Sequence, residues 1–479
     1  MRATWGEAGT LAAACAKIKI FSNFGTLPRW VKSGRRSNRL GPQRTDEFRA
    51  LVADAMAHVQ AGRPVEAERA YRTALAIAPG DPAVTHNLGV AIAAQGRHRD
   101  AIGCFEAALR ADPTHVSAHY NRAVALLRLD DTQEAIKAFS RAAQLDPQHY
   151  EAHRVLGFLW LAHGERGRAL DHFARTYELR RGDDRTTIAQ KSLTAATRQK
   201  LDHDAEQFLY LSQHTRERLR FEHLARSYHA VAEHLSNAMA PLSDGQLDAL
   251  GDGYNTAIHL REAPEIAGGA VNERADQAAL TAQFAAQGAI VVDDLLTPPA
   301  LDSLRRFLLE STIWHDFSHI EGFVASYLED GLACPLVLQI ADELRRAFPD
   351  ILGRHALSQA WAFKGLQTQA AVDVHADDAA VSVNFWVTPT EANRKPGSGG
   401  LVVCLAPPPS DWEIRDYDAD QERIVTFLER NAEKSLLVPY AQNRAVLFRS
   451  RLFHHSDQPE FASGYENHRI NLTLLYGGQ

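Results

Sequence analysis

The chain has 479 residues, 45% of them hydrophobic and 23% charged, and its formal net charge is −7. This length predicts two or three domains, and the composition is that of a soluble globular protein. The acidic balance argues against nucleic acid as a partner, because phosphate binding needs a concentrated basic surface, and no apolar run reaches the roughly 18 residues that cross a membrane.

Residues 1–46 differ from the rest because their arginines and lysines face few acids. We interpret them as a basic, disordered leader or as the product of a start codon placed too far upstream, with a targeting peptide as the alternative. The four cysteines are scattered and form no CxxC pair. This spacing favours reduced thiols and a cytoplasmic protein.

Four segments of the first third repeat one pattern with a period of 34 residues. Each carries an alanine followed four positions later by an aromatic residue. The pairs are Ala67 and Tyr71, Ala101 and Phe105, Ala135 and Phe139, and Ala169 and Phe173. The alanine lets two helices approach closely, and the aromatic ring fills the gap to the next helical hairpin. The pattern therefore predicts a stack of hairpins, the first three of which end at a proline.

The repeats, over residues 47–181, resemble tetratricopeptide repeats. The resemblance implies an α-solenoid with a concave groove that holds a protein or peptide partner. In this family the first helix of each hairpin lines the groove, and here those helices carry a set of polar residues. They are His86, Asn87, Asn121, Arg122, His153 and Arg154. Each of them is equally consistent with ordinary solvated surface.

Residues 182–275 form a predicted helical connector. Apolar positions recur at helical spacing over 200–235 without a breaker, which predicts one long helix. The histidines of this region lack the i, i+4 spacing that helical metal sites favour, so we interpret them as surface or packing residues. Glycine and proline then predict a loop-rich passage up to residue 275.

The sequence pattern over 276–479 is β-rich, unlike the helical pattern before it. A strand at 288–296 is followed by two amphipathic helices, the first with Thr297 as its N-cap. About eight short strands with proline and glycine turns then predict a sandwich or a barrel, interrupted by a helical insert at 411–430.

A His-x-Asp pair lies in this β-rich region, in the segment "VDVHADDAAVSVNFW". His375 and Asp377 share one face of a strand, because side chains alternate along it. A second histidine from another strand would complete a two-histidine, one-carboxylate set, which leaves positions open on a metal such as Fe(II). The segment "LFRSRLFHHSDQ" offers His454 and His455, which face opposite ways, so residue spacing alone leaves both open.

These segments, with "YENHRINLTLLYG", resemble the double-stranded β-helix of Fe(II)/2-oxoglutarate-dependent oxygenases related to prolyl hydroxylases. The resemblance implies His375, Asp377 and His454 as the metal ligands, with His455 as the rival to His454. It also implies that Arg469 binds the far carboxylate of 2-oxoglutarate. Asn471 and Asn384 are further candidates for binding this cosubstrate.

The chain departs from that family at two positions. Asn471 stands where many relatives have serine, and Phe363 stands where relatives often have a tyrosine hydroxyl. Both departures weaken the expectation of cosubstrate binding. Asp373 and Asp378 are expected to be outward-facing or to support the ligands, not to bind the metal.

The sequence as a whole predicts an α+β multidomain protein: a repeat solenoid, a helical connector and a jelly-roll or cupin-like barrel with flanking helices. Its expected activity is that of a dioxygenase that uses Fe(II), 2-oxoglutarate and O2 to hydroxylate a protein or peptide recruited by the repeats. Two alternatives are a scaffold with a degenerate barrel and a barrel enzyme that holds zinc or manganese.

Overall fold

The computed structural model of the chain describes residues 41–182, 194–251, 253–273, 276–317, 322–366, 372–409, 412 and 421–478. The chain divides into two compact units, Met1–Leu159 and Trp160–Gln479. Within the described ranges, no helix combines the length and the apolarity that crossing a membrane requires. The predicted leader lies outside the described residues up to residue 40, but its last residues belong to the first helix.

The first unit is built from antiparallel helical hairpins. Its helices are α1 (Pro42–Gln60), α2 (Pro64–Ile77), α3 (Pro82–Ala93), α4 (His98–Ala111), α5 (Val116–Leu127), α6 (Thr132–Leu145) and α7 (Tyr150–Ala162), the last of which continues into the second unit. The alanines and aromatic rings of the repeat pattern within this unit are fully buried. The predicted hairpins are therefore present, and the periodic residues form their core.

Close helix approach within the second hairpin depends on Gly89 in α3. A Cβ atom at this position would lie 2.7 Å from Cε1 of Phe105 in α4, whose ring is fully buried. Gly103, on the exposed side of α4, has no atom within 4 Å of its Cβ position. The close packing of α3 and α4 therefore requires a glycine at position 89 but not at position 103.

We expect Gly89→Ala to destabilise the first unit by about 1–3 kcal/mol, because the buried ring must shift. Gly103→Ala should instead stabilise it by up to about 1 kcal/mol, because alanine is the better helix former and nothing obstructs it. Urea unfolding followed by far-ultraviolet circular dichroism measures both changes. Equal effects of the two substitutions would contradict the packing described here.

The second unit contains the remaining elements. Its helices are α8 (Arg166–Arg181), α9 (Arg198–His214), α10 (Arg218–Ala232), α11 (Asp244–Leu250), α12 (Gln277–Gln287), α13 (Pro298–Glu310), α14 (Pro335–Ala347), α15 (Pro349–Leu352) and α16 (Gln421–Arg430). Its strands are β1 (Ala195–Ala196), β2 (Ala240–Pro241), β3 (Ala289–Val292), β4 (Phe323–Tyr327), β5 (Leu357–Gly365), β6 (Val381–Trp386), β7 (Leu401–Cys404), β8 (Ser435–Val438), β9 (Ala445–Arg449), β10 (His454–Ser456) and β11 (Ile470–Tyr476).

The predicted single long helix of the connector is wrong, because the chain reverses between α9 and α10. Thr215 is extended and caps the end of α9, and α10 begins at Arg218. The reversal lets Phe208 of α9 contact the rings of Phe221 and Tyr228 of α10, at centroid distances of 6.1 and 4.9 Å. In one continuous helix the apolar faces of these two segments could not pack against each other, so burial of both faces favours the hairpin.

Two antiparallel sheets form the β-rich part. The six-stranded sheet has the order β3-β9-β6-β11-β5-β4, and the three-stranded sheet has the order β10-β7-β8. Their facing sides pack together through one apolar cluster, in which Trp386 and Phe448 of the larger sheet meet Leu401 and Val403 of the smaller one. Between the sheets lies the surface that carries the candidate site.

Two predicted elements differ in extent from the structure. The predicted strand around His375 is an isolated bridge between His375 and His454, flanked by a main-chain hydrogen bond from Ser456 to Val372. The predicted insert 411–430 is helical over Gln421–Arg430, and residues 411 and 413–420 lie outside the described ranges.

A buried ion pair fixes the end of α8. The guanidinium of Arg181 donates two hydrogen bonds to the carboxylate of Asp330, at 2.8 and 2.7 Å, and a third to the carbonyl of Asn255. Both charged side chains are about 97% buried. Burial alone would raise the pKa of Asp330, but the guanidiniums of Arg181 and Arg180 outweigh it and hold this pKa well below its usual range.

We expect Asp330→Asn to lower the free energy of unfolding of the second unit by about 3–5 kcal/mol at pH 7, because it leaves Arg181 buried without its counter-ion. The folded-state pKa is depressed, so the ion pair stabilises the fold above the ordinary aspartate pKa of about 4 and less as pH falls below it. The difference between variant and wild type should therefore shrink in acid.

Chemical denaturation at pH 7 and pH 3 measures this difference. Asp302→Asn is the control, because Asp302 forms an exposed ion pair with Arg306 and should change stability by less than about 1 kcal/mol. A constant difference between the two pH values would rule out the linkage.

Candidate metal centre

His375 and His454 are brought together by the main chain. Each donates its backbone N–H to the other's carbonyl, at 3.1 and 2.9 Å, and the two rings lie 4.2 Å apart between centroids. Residues directly opposite in an antiparallel bridge project their side chains to the same side. The two imidazoles therefore face one space.

Asp377 enters the same space. Its backbone N–H donates to the carbonyl of Ser450 at 2.9 Å. Its carboxylate oxygens lie 3.7 Å from Nε2 of His375 and 3.6 Å from Nε2 of His454. One ligand atom from each of the three residues lies within 4.8 Å of the other two.

The hydrogen bonds of the two imidazoles fix which nitrogen carries the proton. Nδ1 of His375 contacts the carbonyl of Asp373 at 2.9 Å, and Nδ1 of His454 contacts the carbonyl of Leu452 at 3.0 Å. A carbonyl oxygen only accepts, so each Nδ1 carries the hydrogen. Nε2 of each ring therefore points towards Asp377 and is the nitrogen left to bind a metal ion.

Two serines support the carboxylate. Oγ of Ser382 donates to Oδ2 of Asp377 at 2.6 Å, and the hydroxyl of Ser450 lies 2.8 Å from that of Ser382. Because the Ser382 hydrogen is committed to the carboxylate, Ser450 donates to Ser382. The chain of two hydroxyls ends on Asp377 and fixes the orientation of its carboxylate.

Burial is unequal across the cluster. Asp377 and His454 are buried, whereas 39% of the His375 side chain is exposed. Burial, followed by the proximity of His375, lowers the pKa of His454 to about 4, so this ring is neutral near pH 7. Two imidazoles and one carboxylate can hold a divalent cation, with access from the His375 side.

The tandem histidines have different surroundings. His454 is part of the cluster, whereas Nδ1 of His455 contacts the carbonyl of Ser456 at 3.0 Å. His455 lies next to His454 on β10, so its ring projects from the opposite side of the strand. The structure thus groups His454, and not its rival, with His375 and Asp377.

Arg469 lies between the sheets just before β11 and is 2% exposed. Its guanidinium donates to the carbonyls of Gly399 and Gly400, at 2.8 and 3.3 Å, and to Oδ1 of Asn471 at 3.2 Å. Its Cζ lies 5.8 Å from the centre of the Trp386 ring. No carboxylate in the described ranges lies within ion-pair distance of it, and burial lowers its pKa to about 10.

Strand register connects the cluster to Arg469. Ser382, Asn384 and Trp386 alternate on the inner face of β6, and Asn471 of β11 lies opposite Trp386. Nδ2 of Asn384 donates to the hydroxyl of Thr473 at 3.1 Å, while its Oδ1 is buried without a partner in the described chain. The buried guanidinium of Arg469 fits a small anion, whereas Oδ1 of Asn384 can only accept a hydrogen bond and fits a donor such as water.

Phe363, Asp373 and Asp378 are the remaining predicted residues. Phe363 of β5 lies opposite Asn471 and so shares the inner face. Asp373 contributes its carbonyl and not its carboxylate, and Asp378 is exposed.

Sequence reasoning missed Ser382, Ser450, Gly399 and Gly400. The alternation of polar residues in "VSVNFW" could have identified Ser382, which shares a face with Asn384. Gly400 has a steric reason to be glycine, because a Cβ atom there would collide with the Val438 carbonyl. Nothing in the sequence indicates the contact of Ser450.

The sequence model described as tetratricopeptide repeat matches residues 86–149 and 126–184. The predicted repeats are thereby confirmed as tetratricopeptide repeats over this range. Curated proteins gave no match.

Several solved structures are similar to part of this chain. A mutant of the O-GlcNAc transferase of Thermobaculum terrenum is 26% identical over 29% of this chain and 28% of its own, with a TM-score of 0.27. The tetratricopeptide domain of Sgt2 from Aspergillus fumigatus is 24% identical over 26% of this chain and 82% of its own, with a TM-score of 0.24. The first such domain of Spaghetti (RPAP3), bound to an HSP90 peptide, is 21% identical over 25% and 94%, with a TM-score of 0.24.

We expect His454→Ala to abolish divalent-cation binding, because it removes the most buried of the three nitrogen and oxygen ligands. His455→Ala is the matched control and should change the dissociation constant by no more than about twofold. Anaerobic calorimetric titration with Fe(II), and with Mn(II) as an air-stable substitute, measures both. The reverse order of effects would shift the ligand to His455 and with it the register of β10.

Proposed function

We propose that the chain is an Fe(II)- and 2-oxoglutarate-dependent dioxygenase that hydroxylates a protein or peptide. One observation carries the proposal: Nδ1 of both His375 and His454 is held by a main-chain carbonyl, so that both Nε2 lone pairs face the carboxylate of Asp377. Such pre-set tautomers are a feature of metal ligands and have no evident packing benefit.

The topology supports the same class. The larger sheet contains the strand order β9-β6-β11-β5. The smaller sheet, which faces it, has the order 372–377 segment, β10, β7 and β8. From β5 onward the chain passes back and forth between the two sheets, except that β7 and β8 are paired neighbours within the smaller sheet, and this is the order of a double-stranded β-helix. A jelly roll of this kind is the fold that the C-terminal sequence pattern predicts.

The donor set suits Fe(II). Nε2 of His375, Nε2 of His454 and a carboxylate oxygen of Asp377 would hold the ion and leave its remaining positions for cosubstrate and O2. Bound Fe(II) would supply the chemistry that couples oxidative decarboxylation of 2-oxoglutarate by O2, to succinate and CO2, to insertion of the second oxygen atom into a substrate C–H bond.

Arg469 would anchor the far carboxylate of 2-oxoglutarate. Three hydrogen bonds orient the guanidinium, and burial removes competing water, so an arriving carboxylate meets a positioned cation. Asn471 accepts from Arg469 and would orient it more than it would bind the cosubstrate directly. The free Oδ1 of Asn384 would accept a hydrogen bond from a bound water.

Support from Ser382 and Ser450 has a chemical consequence. The hydrogen bond from Ser382, itself supported by Ser450, would hold the Asp377 carboxylate in one orientation beside both imidazoles. The main-chain contact of Asp377 with Ser450 fixes the position of the carboxylate further. These residues would hold the ligand set in place while cosubstrate and substrate enter from the exposed side of His375.

The repeats suggest the kind of substrate. Tetratricopeptide solenoids expose a concave groove in which peptides bind, and a protein or peptide bound there is the partner that we propose. Prolyl hydroxylation is our first expectation for the reaction.

We expect anaerobic protein with Fe(II) and 2-oxoglutarate to show a weak visible charge-transfer band, and to release succinate when air is admitted.

Arg469→Met should weaken 2-oxoglutarate binding by roughly a hundredfold or more, because it removes charged hydrogen bonds worth about 1.5–3 kcal/mol each. Arg449→Met, at an exposed arginine, is the control. Folded protein that gives neither band nor succinate would favour the scaffold alternative, and turnover with Zn(II) or Mn(II) alone would favour the other-metal alternative.

A further inference from the structure

Thr388 lies opposite Arg469 across the edge of the larger sheet. The register of β6 and β11 pairs Trp386 with Asn471 and Phe385 with Leu472. Continued by two residues, the same register sets Thr388 against Arg469. The last main-chain bond on this side runs from the N–H of Val387 to the carbonyl of Ile470, at 3.2 Å.

The side chain of Thr388 continues the pairing where the main chain stops. Residue 389 is proline, which has no N–H to donate. The hydroxyl of Thr388 donates to the carbonyl of His468 at 2.7 Å and accepts from the N–H of Ile470 at 3.0 Å. One oxygen atom thus binds the peptide groups on both sides of Arg469.

This bridge is buried and held from the other sheet. Thr388 is 1% exposed. Its carbonyl accepts a hydrogen bond from the hydroxyl of Tyr440, just beyond β8, at 2.6 Å. The carbonyl of Arg469 accepts from the N–H of Gly365 at 2.9 Å, which fixes the same peptide from the side of β5.

We propose that Thr388 is a positioning residue for Arg469: its hydroxyl clamps the main chain on both sides of the arginine and so sets where the guanidinium meets the far carboxylate of a 2-oxo dicarboxylic acid. The inference rests on the proposed function of Arg469. It concerns only the carboxylate end of the cosubstrate, since the hydrogen bonds of Thr388 in the described chain run to His468, Ile470 and Tyr440 and not to His375, Asp377 or His454.

The proposal predicts that a change at Thr388 weakens the binding of 2-oxoglutarate and leaves metal binding intact. Thr388→Val keeps the shape of the side chain and removes both hydrogen bonds. We expect it to raise the dissociation constant of 2-oxoglutarate about tenfold. Its affinity for Mn(II) and its rate of succinate release at saturating 2-oxoglutarate should stay within about twofold of wild type. Thr388→Ser keeps the hydroxyl and should restore wild-type binding, whereas Thr388→Ala should behave like the valine variant.

Calorimetric titration of the anaerobic Mn(II)-loaded full chain with 2-oxoglutarate measures the effect. Thr390→Val is the matched control, because this hydroxyl accepts from the N–H of Gln442 and has no bond to the residues around Arg469. If Thr388→Val loses structure in general, it will also bind Mn(II) more weakly. The serine variant then decides: loss of 2-oxoglutarate affinity in Thr388→Ser as well would overturn the proposal.

The outcomes separate this inference from the proposed function. Wild-type protein that binds Mn(II) but no 2-oxoglutarate would refute the proposed function itself. Wild-type protein that binds 2-oxoglutarate, together with valine and alanine variants that bind it equally well, would refute the role of Thr388 and leave the proposed function standing.

Discussion

The pair of main-chain hydrogen bonds between His375 and His454 is the constraint on which the candidate site depends. It joins two segments that are distant in sequence and puts their imidazoles on one side of the smaller sheet. Two further carbonyls then set the tautomers, and a serine pair sets the carboxylate. Each of the three candidate ligands is positioned by backbone or by buried hydroxyls, as a pre-organised metal site would require.

Arg469 adds a second constraint. Among the residues that the structure describes, this buried guanidinium donates its hydrogen bonds to two carbonyls and an amide and forms no ion pair, so its charge lacks a counter-ion there. A fold selected for stability alone would replace it with an apolar residue or give it a carboxylate. The carboxylate of the proposed cosubstrate would supply the counter-ion that Arg469 lacks.

The sequence predicted the parts of this site that depend on local patterns. The His-x-Asp spacing predicted that His375 and Asp377 lie together, although the predicted strand is only an isolated bridge at His375, and the 34-residue period located the repeat core. It could not predict features that arise when distant segments meet. Ser450 and the carbonyl of Leu452 matter only because the turn after β9 folds back onto the 372–377 segment. The long-helix prediction failed for a similar reason, since helical period cannot reveal that two apolar faces need each other.

The central claim is that one ion joins residues 375, 377 and 454. Anomalous X-ray diffraction from crystals grown anaerobically with Mn(II), recorded on both sides of the manganese absorption edge, tests it most directly. The account predicts one strong anomalous peak about 2.0–2.2 Å from Nε2 of His375, Nε2 of His454 and a carboxylate oxygen of Asp377. A well-ordered structure with no peak there, or with the peak on His455, would contradict it.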